Sequence, residues 1–249
     1  MSAPGPGEVR PPRAVLLDAL GTLVELESPV EPLLRELRER FGVEVGEAEA
    51  RVALRAEIAF YRAHHDEASD RTRLADLRSR AAAALRDALP SAAAGLPLDP
   101  LTEALLTALR FRPFEEVPEV LRAARERGVR LVVVSNWDVS LHDVLEQTGL
   151  APLLDGVVTS AELGSAKPHG AIFARGLELA GVAAGEAVHV GDSVEHDVAG
   201  ALLAGIEPLL VVREGTTPDG PVPSGVRTIP TLRPLLGLLD GAGSLSFSA

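Results

Sequence analysis

Three short apolar runs, each followed at once by a polar residue, constrain the fold of this chain more than any other feature. The runs and the residues that follow them are AVLL before Asp18, LVVV before Ser135, and AVHV before Gly191-Asp192. Unbroken apolar runs of this length are typical of strands buried on both faces of a parallel sheet. Because ligands bind beyond the carboxyl ends of such strands, we expect Asp18, Ser135 and Asp192 to meet at one edge of the sheet.

Helical patterns separate these strands from residue 113 onwards. Helices are predicted over about 117–127, 140–148, 195–204 and 231–239 and from Pro168, with further strands at about 156–158 and 208–212. Strands that alternate with helices predict right-handed βαβ units. The expected fold class is therefore α/β, with a Rossmann-like, three-layer core and a parallel sheet covered by helices on both faces.

Residues 29–110 have a different character, because Ala, Leu, Glu and Arg recur there at helical spacing. Gly42 is a predicted helix end, and further helices are expected over about 46–65, 71–89 and 100–110. We interpret this stretch as an all-helical insert. The predicted organisation is listed here by range: a disordered tail over 1–12, a core over 13–26 and 113–240, an insert over 27–112, and a second tail over 241–249.

Composition excludes several classes of function. The 249 residues carry a net charge of −12, which argues against a general nucleic-acid binder. There is no cysteine, so thiolate catalysis and cysteine-based zinc sites are excluded. The first residues lack the apolar segment of a signal peptide, and no apolar run is long enough to span a bilayer. We expect a cytoplasmic protein without membrane or nucleic-acid partners, either a monomer or a homodimer.

Lys167 is the only lysine in a chain that otherwise uses arginine for positive charge. Lysine carries a compact point charge, whereas arginine is a broad planar fork. Lys167 precedes a predicted helix, within reach of the same sheet edge as Asp18, Ser135 and Asp192. Two acids, a hydroxyl and a compact cation can together hold a divalent metal ion and a phosphoryl group.

Four segments that contain these residues resemble, in order, the four motifs of the haloacid dehalogenase (HAD) superfamily. They are Asp18-Ala19-Leu20-Gly21-Thr22-Leu23, Ser135-Asn136, Lys167-Pro168 with Ile172-Phe173, and Gly191-Asp192-Ser193-Val194-Glu195-His196-Asp197. The helical insert stands where this family carries a C1-type cap. The segment Ser135-Asn136-Trp137-Asp138 is similar to the "hydrolase domain-containing" branch of the superfamily. The resemblance covers about residues 13–212.

The resemblance implies a role for each motif residue. Asp18 would be the nucleophile, Ser135 and the backbone amide of Asn136 would hold transferring oxygens, and Lys167 would offset charge between Asp18 and a small anionic substrate. Asp18, the backbone carbonyl of Leu20 and Asp192 would bind Mg²⁺, with Asp197 binding the ion directly or supporting a ligand. Trp137 is a candidate wall of the substrate pocket, with packing beneath the cap as the alternative.

Leu20 departs from the pattern of the family's phosphatases, which carry a second acid at this position. General acid–base catalysis contributes roughly 10²–10⁴-fold, so its loss should matter most for esters with poor leaving groups. An apolar residue here is also typical of metal-independent 2-haloacid dehalogenases, but those enzymes lack the acidic fourth motif that Asp192 and Asp197 form. We therefore expect a Mg²⁺-dependent phosphatase, with a dehalogenase and a weak or vestigial binding protein as alternatives.

Overall fold

The computed structural model describes residues 11–241, and a six-stranded sheet forms its centre. In chain order the strands of the molecule are β1 Ala14–Leu17, β2 Val24–Leu26, β3 Phe111–Pro113, β4 Arg130–Ser135, β5 Gly156–Thr159, β6 Ala187–Gly191, β7 Glu207–Val211 and β8 Arg227–Ile229. The sheet has the order β5-β4-β1-β6-β7-β8, and every neighbouring pair is parallel. The three strands of the opening motifs therefore lie side by side, with β1 in the middle.

Ten α-helices surround or extend this sheet within residues 11–241. They are α1 Val30–Phe41, α2 Glu47–His64, α3 Arg71–Ala88, α4 Leu98–Ala108, α5 Val117–Glu126, α6 Leu141–Gln147, α7 Ser160–Leu163, α8 Gly170–Ala180, α9 Ala199–Leu203 and α10 Leu235–Leu239. Two predicted helices begin later in the chain than expected. The helix predicted from Pro168 begins at Gly170, and a π-helical turn over Val194–Val198 precedes α9. The short strands β2, β3 and β8 and the helix α7 were not predicted.

The alternation of side chains along each strand builds two separate cores, one on each face of the sheet. Leu17 of β1 and Val133 of β4 pack with helices α5, α6 and α10. Leu16 and Val134 point to the other face and pack with α8 and α9. Helices thus cover both faces of the parallel sheet, which confirms the predicted Rossmann-like α/β fold.

Helices α1–α4 lie between β2 and β3 and enclose a hydrophobic cluster of their own, which includes Leu33, Leu54 and Leu101. Strands β2 and β3 pair in antiparallel fashion, so both crossings between this insert and the sheet run through one two-stranded ribbon. Gly42 ends α1 with φ of 65°, the left-handed conformation that glycine adopts without a Cβ clash, as predicted.

The two predicted tails fall almost wholly outside the described residues, which include only Pro11, Pro12 and Gly241 of them. Among residues 11–241, no helix combines the length and the apolar character needed to cross a bilayer.

Candidate active site

The structure brings the carboxyl ends of β1 and β4 and the segment before α8 together at one edge of the sheet. Ser135 Oγ donates a hydrogen bond of 3.0 Å to Asp18 Oδ1. Lys167 Nζ lies 2.5 Å from the same oxygen. All three residues are buried, with Asp18 only 6% exposed. The described residues donate no hydrogen bond to Asp18 Oδ2, so this oxygen remains available to a ligand.

Lys167 is held at both its backbone and its ammonium group. The side chain of Asn136 accepts a hydrogen bond of 2.7 Å from Lys167 N and donates one of 3.0 Å to Lys167 O. The ammonium lies between Asp18 and Asp197, at 2.6 Å from Asp197 Oδ1. The Asn136 side chain therefore clamps the Lys167 backbone, a role separate from the one expected of its backbone amide.

A third carboxylate, that of Asp192, lies close to the two that contact this ammonium. Asp18, Asp192 and Asp197 each offer an oxygen, and these oxygens lie within 4.8 Å of one another. Two glycines make this convergence possible. A Cβ at Gly21 would collide with the carboxylate of Asp192, and a Cβ at Gly191 would collide with that of Asp197. The glycines of the first and fourth motifs are therefore required by close approach, not only by turn geometry.

The charges of the cluster shift one another's pKa values. Burial raises the pKa of Asp18, although Lys167 opposes the change. Burial would also raise the pKa of Asp197, but Lys167 and the hydrogen bond from His189 outweigh it and hold the pKa well below its usual range. Asp192 is exposed on its outer side, yet loss of hydration and the charges of Asp18 and Asp197 raise its pKa to about 7.

Three carboxylates and one ammonium leave an excess of negative charge, which adds to the loss of hydration in raising the pKa of Asp192. Carboxylate oxygens are the ligands that Mg²⁺ prefers. The residues present therefore fit a divalent cation at Asp18 and Asp192. Asp197 fits less well as a ligand, because Oδ1 accepts from Lys167 and His189 while Oδ2 accepts a hydrogen bond of 3.0 Å from Ser193 N.

Leu20 and Trp137 lie close to these residues in sequence but differ in exposure. Leu20 is 40% exposed. Trp137 is only 7% exposed and packs against Phe111 of β3, with ring centroids 5.3 Å apart. The indole is therefore part of the packing between β3 and the loop after β4.

The helical insert contacts the core beside this loop. Tyr61 of α2 donates a hydrogen bond of 2.8 Å to Asp138 Oδ2, and Val139 N donates one of 3.1 Å to Ala68 O. Arg71 at the start of α3 forms a two-pronged ion pair with Asp143 of α6. The insert is thus docked against the segment that carries Ser135 and Asn136.

Several residues that support the site were not predicted from the sequence. His189 of β6 donates to Asp197. Arg213 donates to the carbonyl oxygens of Gly21 and Thr22 and forms a partly buried ion pair with Glu116. For His189 one signal existed, because histidine is the only polar residue of the AVHV run. Arg213 and Glu116 follow no motif, and their pairing depends on the tertiary structure.

Comparisons with known proteins agree with this geometry. The family model for haloacid dehalogenase-like hydrolase matches residues 12–205. A haloacid dehalogenase-like hydrolase domain-containing protein 3 from Bos taurus is 40% identical over 130 residues, which are 51% of each protein. The chain thus matches about half the length of this curated relative.

Other relatives divide between two chemistries. A phosphoserine phosphatase from Thermus thermophilus is 37% identical over 113 residues, which are 45% of each protein. Haloacetate dehalogenase H-2 from Moraxella is 32% identical over 123 residues, which are 46% of this chain and 54% of that protein. The crystal structure of a HAD phosphatase from Thermococcus onnurineus is 25% identical, with a TM-score of 0.59 over 93% of this chain and 98% of that one. From its motifs, its fold and these matches, the chain belongs to the haloacid dehalogenase-like hydrolases.

Proposed function

We propose that this hydrolase is a Mg²⁺-dependent phosphatase that acts on a small phosphorylated metabolite through an aspartyl-phosphate on Asp18. The observation that carries the proposal is the cluster of Asp18, Asp192 and Asp197, which a single ammonium, in contact with two of them, leaves negatively charged. Uncompensated carboxylates at a partly buried site are costly without a cation. A metal-independent reaction would have no need of Asp192 at this position.

The Mg²⁺ ion would be held by Asp18, Asp192 and the backbone carbonyl of Leu20, and would offset negative charge on the phosphoryl group. Ser135 and Lys167 both contact Asp18 Oδ1, so they orient the carboxylate and leave Oδ2 to attack. Asp18 forms a bond to phosphorus as the bond to the leaving oxygen breaks, and the leaving group departs with that electron pair. Water then attacks the aspartyl-phosphate and releases inorganic phosphate and Asp18.

Leu20 narrows the class of substrate. A leucine cannot give a proton to the departing oxygen, so the leaving group must be stable as an anion or take its proton from water. Acyl and aryl phosphates meet this condition better than phosphate esters of sugar alcohols.

The first test is turnover of p-nitrophenyl phosphate, acetyl phosphate and glycerol 3-phosphate with Mg²⁺ and with EDTA. We expect Mg²⁺-dependent phosphate release, fastest on the first two compounds. Asp18→Asn should reduce it by about 10⁴-fold or more, as removal of a nucleophile does, while Asp99→Asn, at an exposed site of α4, should leave it unchanged. Phosphate release that is equal in EDTA, or that survives Asp18→Asn, would contradict the proposal.

Leu20→Asp supplies the missing acid and provides a second test. Turnover of glycerol 3-phosphate should rise by up to about 10²-fold, with a much smaller change for acetyl phosphate. Leu20→Asn is the matched control, because the asparagine side chain has nearly the shape of aspartic acid but no ionisable proton. Equal effects of the two substitutions would show that polarity, not proton transfer, limits the reaction.

The second candidate is 2-haloacid dehalogenation, in which Asp18 attacks carbon and displaces halide. It is favoured by one observation, the leucine at position 20. Halide release from 2-chloropropionate in EDTA, lost in Asp18→Asn and unaffected by Asp192→Asn, would establish it over the phosphatase. Absence of both activities, with ligand binding retained in Asp18→Asn, would point to a binding protein.

A further inference from the structure

His189 occupies a position in β6 where packing alone would favour an apolar residue. It is fully buried, and its neighbours in the strand are alanine and valine. The imidazole meets Phe173 edge-on, with ring centroids 5.0 Å apart. Burial of a polar ring costs free energy unless its nitrogens are hydrogen-bonded. Since an aliphatic side chain would avoid this cost, the histidine calls for an explanation beyond packing.

The explanation lies in what the imidazole contacts. His189 Nε2 is 2.8 Å from Asp197 Oδ1, and among residues 11–241 its Nδ1 has no hydrogen-bond partner. An ionised carboxylate only accepts hydrogen bonds, so Nε2 carries the proton and donates it. Within residues 11–241, the imidazole therefore makes a single hydrogen bond, and it makes this bond to Asp197.

Asp197 in turn holds Lys167. Its Oδ1 accepts from both His189 and Lys167, and Lys167 Nζ continues the chain to Asp18 Oδ1 at 2.5 Å. A buried row of four groups thus runs from the middle of β6 to the end of β1. The sites around Oδ1 are filled from two directions, which leaves the carboxylate little freedom to rotate away from the lysine.

We infer that His189 is a positioning residue, which fixes Asp197 so that the Lys167 ammonium stays against Asp18. The inference rests on the proposed function, since it assigns His189 a part in the reaction that Asp18 performs. If His189 were purely structural, any side chain of similar volume could replace it without loss of activity. If it positions Asp197, its replacement must place a hydrogen-bond donor where Nε2 lies.

His189→Gln and His189→Met form the decisive pair, because the two side chains have the same length and only glutamine carries a donor. With p-nitrophenyl phosphate and Mg²⁺, His189→Met should lower kcat by about 10–100-fold, the usual cost of losing a group that orients a site residue. KM should stay within about twofold, and His189→Gln should recover most of kcat. Equal loss in both variants would overturn the inference.

A double-mutant cycle separates action through Asp197 from other effects. In the Asp197→Asn background, His189→Met should change kcat by less than about twofold, because the partner that it positions is gone. If His189→Met cost as much in this background as in the wild type, the histidine would not act through Asp197.

The single lysine of the chain allows a test that does not depend on activity. In protein labelled with ¹³C-lysine, Lys167 alone supplies a lysine ε-methylene NMR signal. In metal-free protein we expect this signal to move towards the position of free lysine in His189→Met and to stay near its wild-type position in His189→Gln. An unmoved signal in His189→Met would refute the inference. If the wild type released no phosphate, the proposed function would fail while this measurement still decided the role of His189.

Discussion

Replacement of Lys167 by methionine removes the ammonium between Asp18 and Asp197 and keeps a side chain of nearly the same length. The three side chains are almost inaccessible, at 2%, 9% and 3% for Lys167, Asp18 and Asp197. Water can therefore hydrate the two carboxylates only to a small extent once the lysine is gone. Loss of one partner from a buried ion pair costs about 3–5 kcal/mol, because it leaves uncompensated buried charge.

For a chain of this size, a loss of about 3–5 kcal/mol corresponds to a fall in Tm of roughly 6–20 °C. The assay is thermal and urea unfolding of metal-free protein, followed by circular dichroism. Arg35→Met is the matched control, since it removes the same charge from an exposed site of α1 and should change stability by less than about 0.5 kcal/mol. Phosphate release by Lys167→Met should be abolished at every temperature at which the variant is folded.

The pH dependence of this stability loss tests whether uncompensated carboxylate charge is its cause. Without the lysine, the folded-state pKa of Asp18 rises further, and that of Asp197 rises above the unfolded value of about 3.9. A group with a raised folded pKa stabilises the protein at low pH, and this stability is lost as pH rises through the folded pKa. The deficit of Lys167→Met should therefore be smaller at about pH 5 than at about pH 8. A deficit below about 1 kcal/mol, or one that grows as pH falls, would refute the reasoning.

Three further predictions follow from the same structure. Because the pKa of Asp192 is raised to about 7, metal-free protein should lose stability as pH rises through that value. The affinity for Mg²⁺, measured by calorimetry, should increase from about pH 6 to about pH 8. Asp192→Asn should remove both trends. Tyr61→Phe removes one hydrogen bond between the insert and the core, so this substitution should lower the free energy of unfolding in urea by about 1 kcal/mol. Amide hydrogen exchange at Val139 should become faster, and unchanged exchange would count against docking through this bond. Arg213→Leu leaves the Glu116 carboxylate without its ion-pair partner, so we expect a loss of about 1–3 kcal/mol in urea unfolding. A loss below about 0.5 kcal/mol would mean that water hydrates Glu116 in the variant.

Much of the architecture could be predicted because it depends on local patterns. The apolar runs before Asp18, Ser135 and Gly191 predicted three parallel strands that end at one edge of the sheet, and the structure places all three side by side. Helical spacing and Gly42 predicted the first helix of the insert and its end. The short strands β2, β3 and β8 had no such signal, because strands of three residues are too short to show a period.

The sequence predicted which motif residues gather at the candidate site but not their contacts, and the roles assigned to these residues stay predictions. Motif order named Asp18, Ser135, Lys167 and Asp192, and the parallel sheet brings them to one edge. The direction of each side chain was not predictable. The Asn136 amide faces the Lys167 backbone and the Trp137 indole faces Phe111, and neither contact follows from sequence spacing.

By itself, the sequence determined that buried parallel strands end in polar residues, and that a lone lysine belongs with them, because strand burial and strand ends are local properties of the chain. Only the tertiary structure decided how charge is shared at that edge. It joined His189, Asp197, Lys167 and Asp18 in one buried row, and it left Asp192 beside Gly21 with a raised pKa. The physical reason is that burial and Coulomb interactions depend on distance in space, and these groups are up to 179 positions apart in the chain.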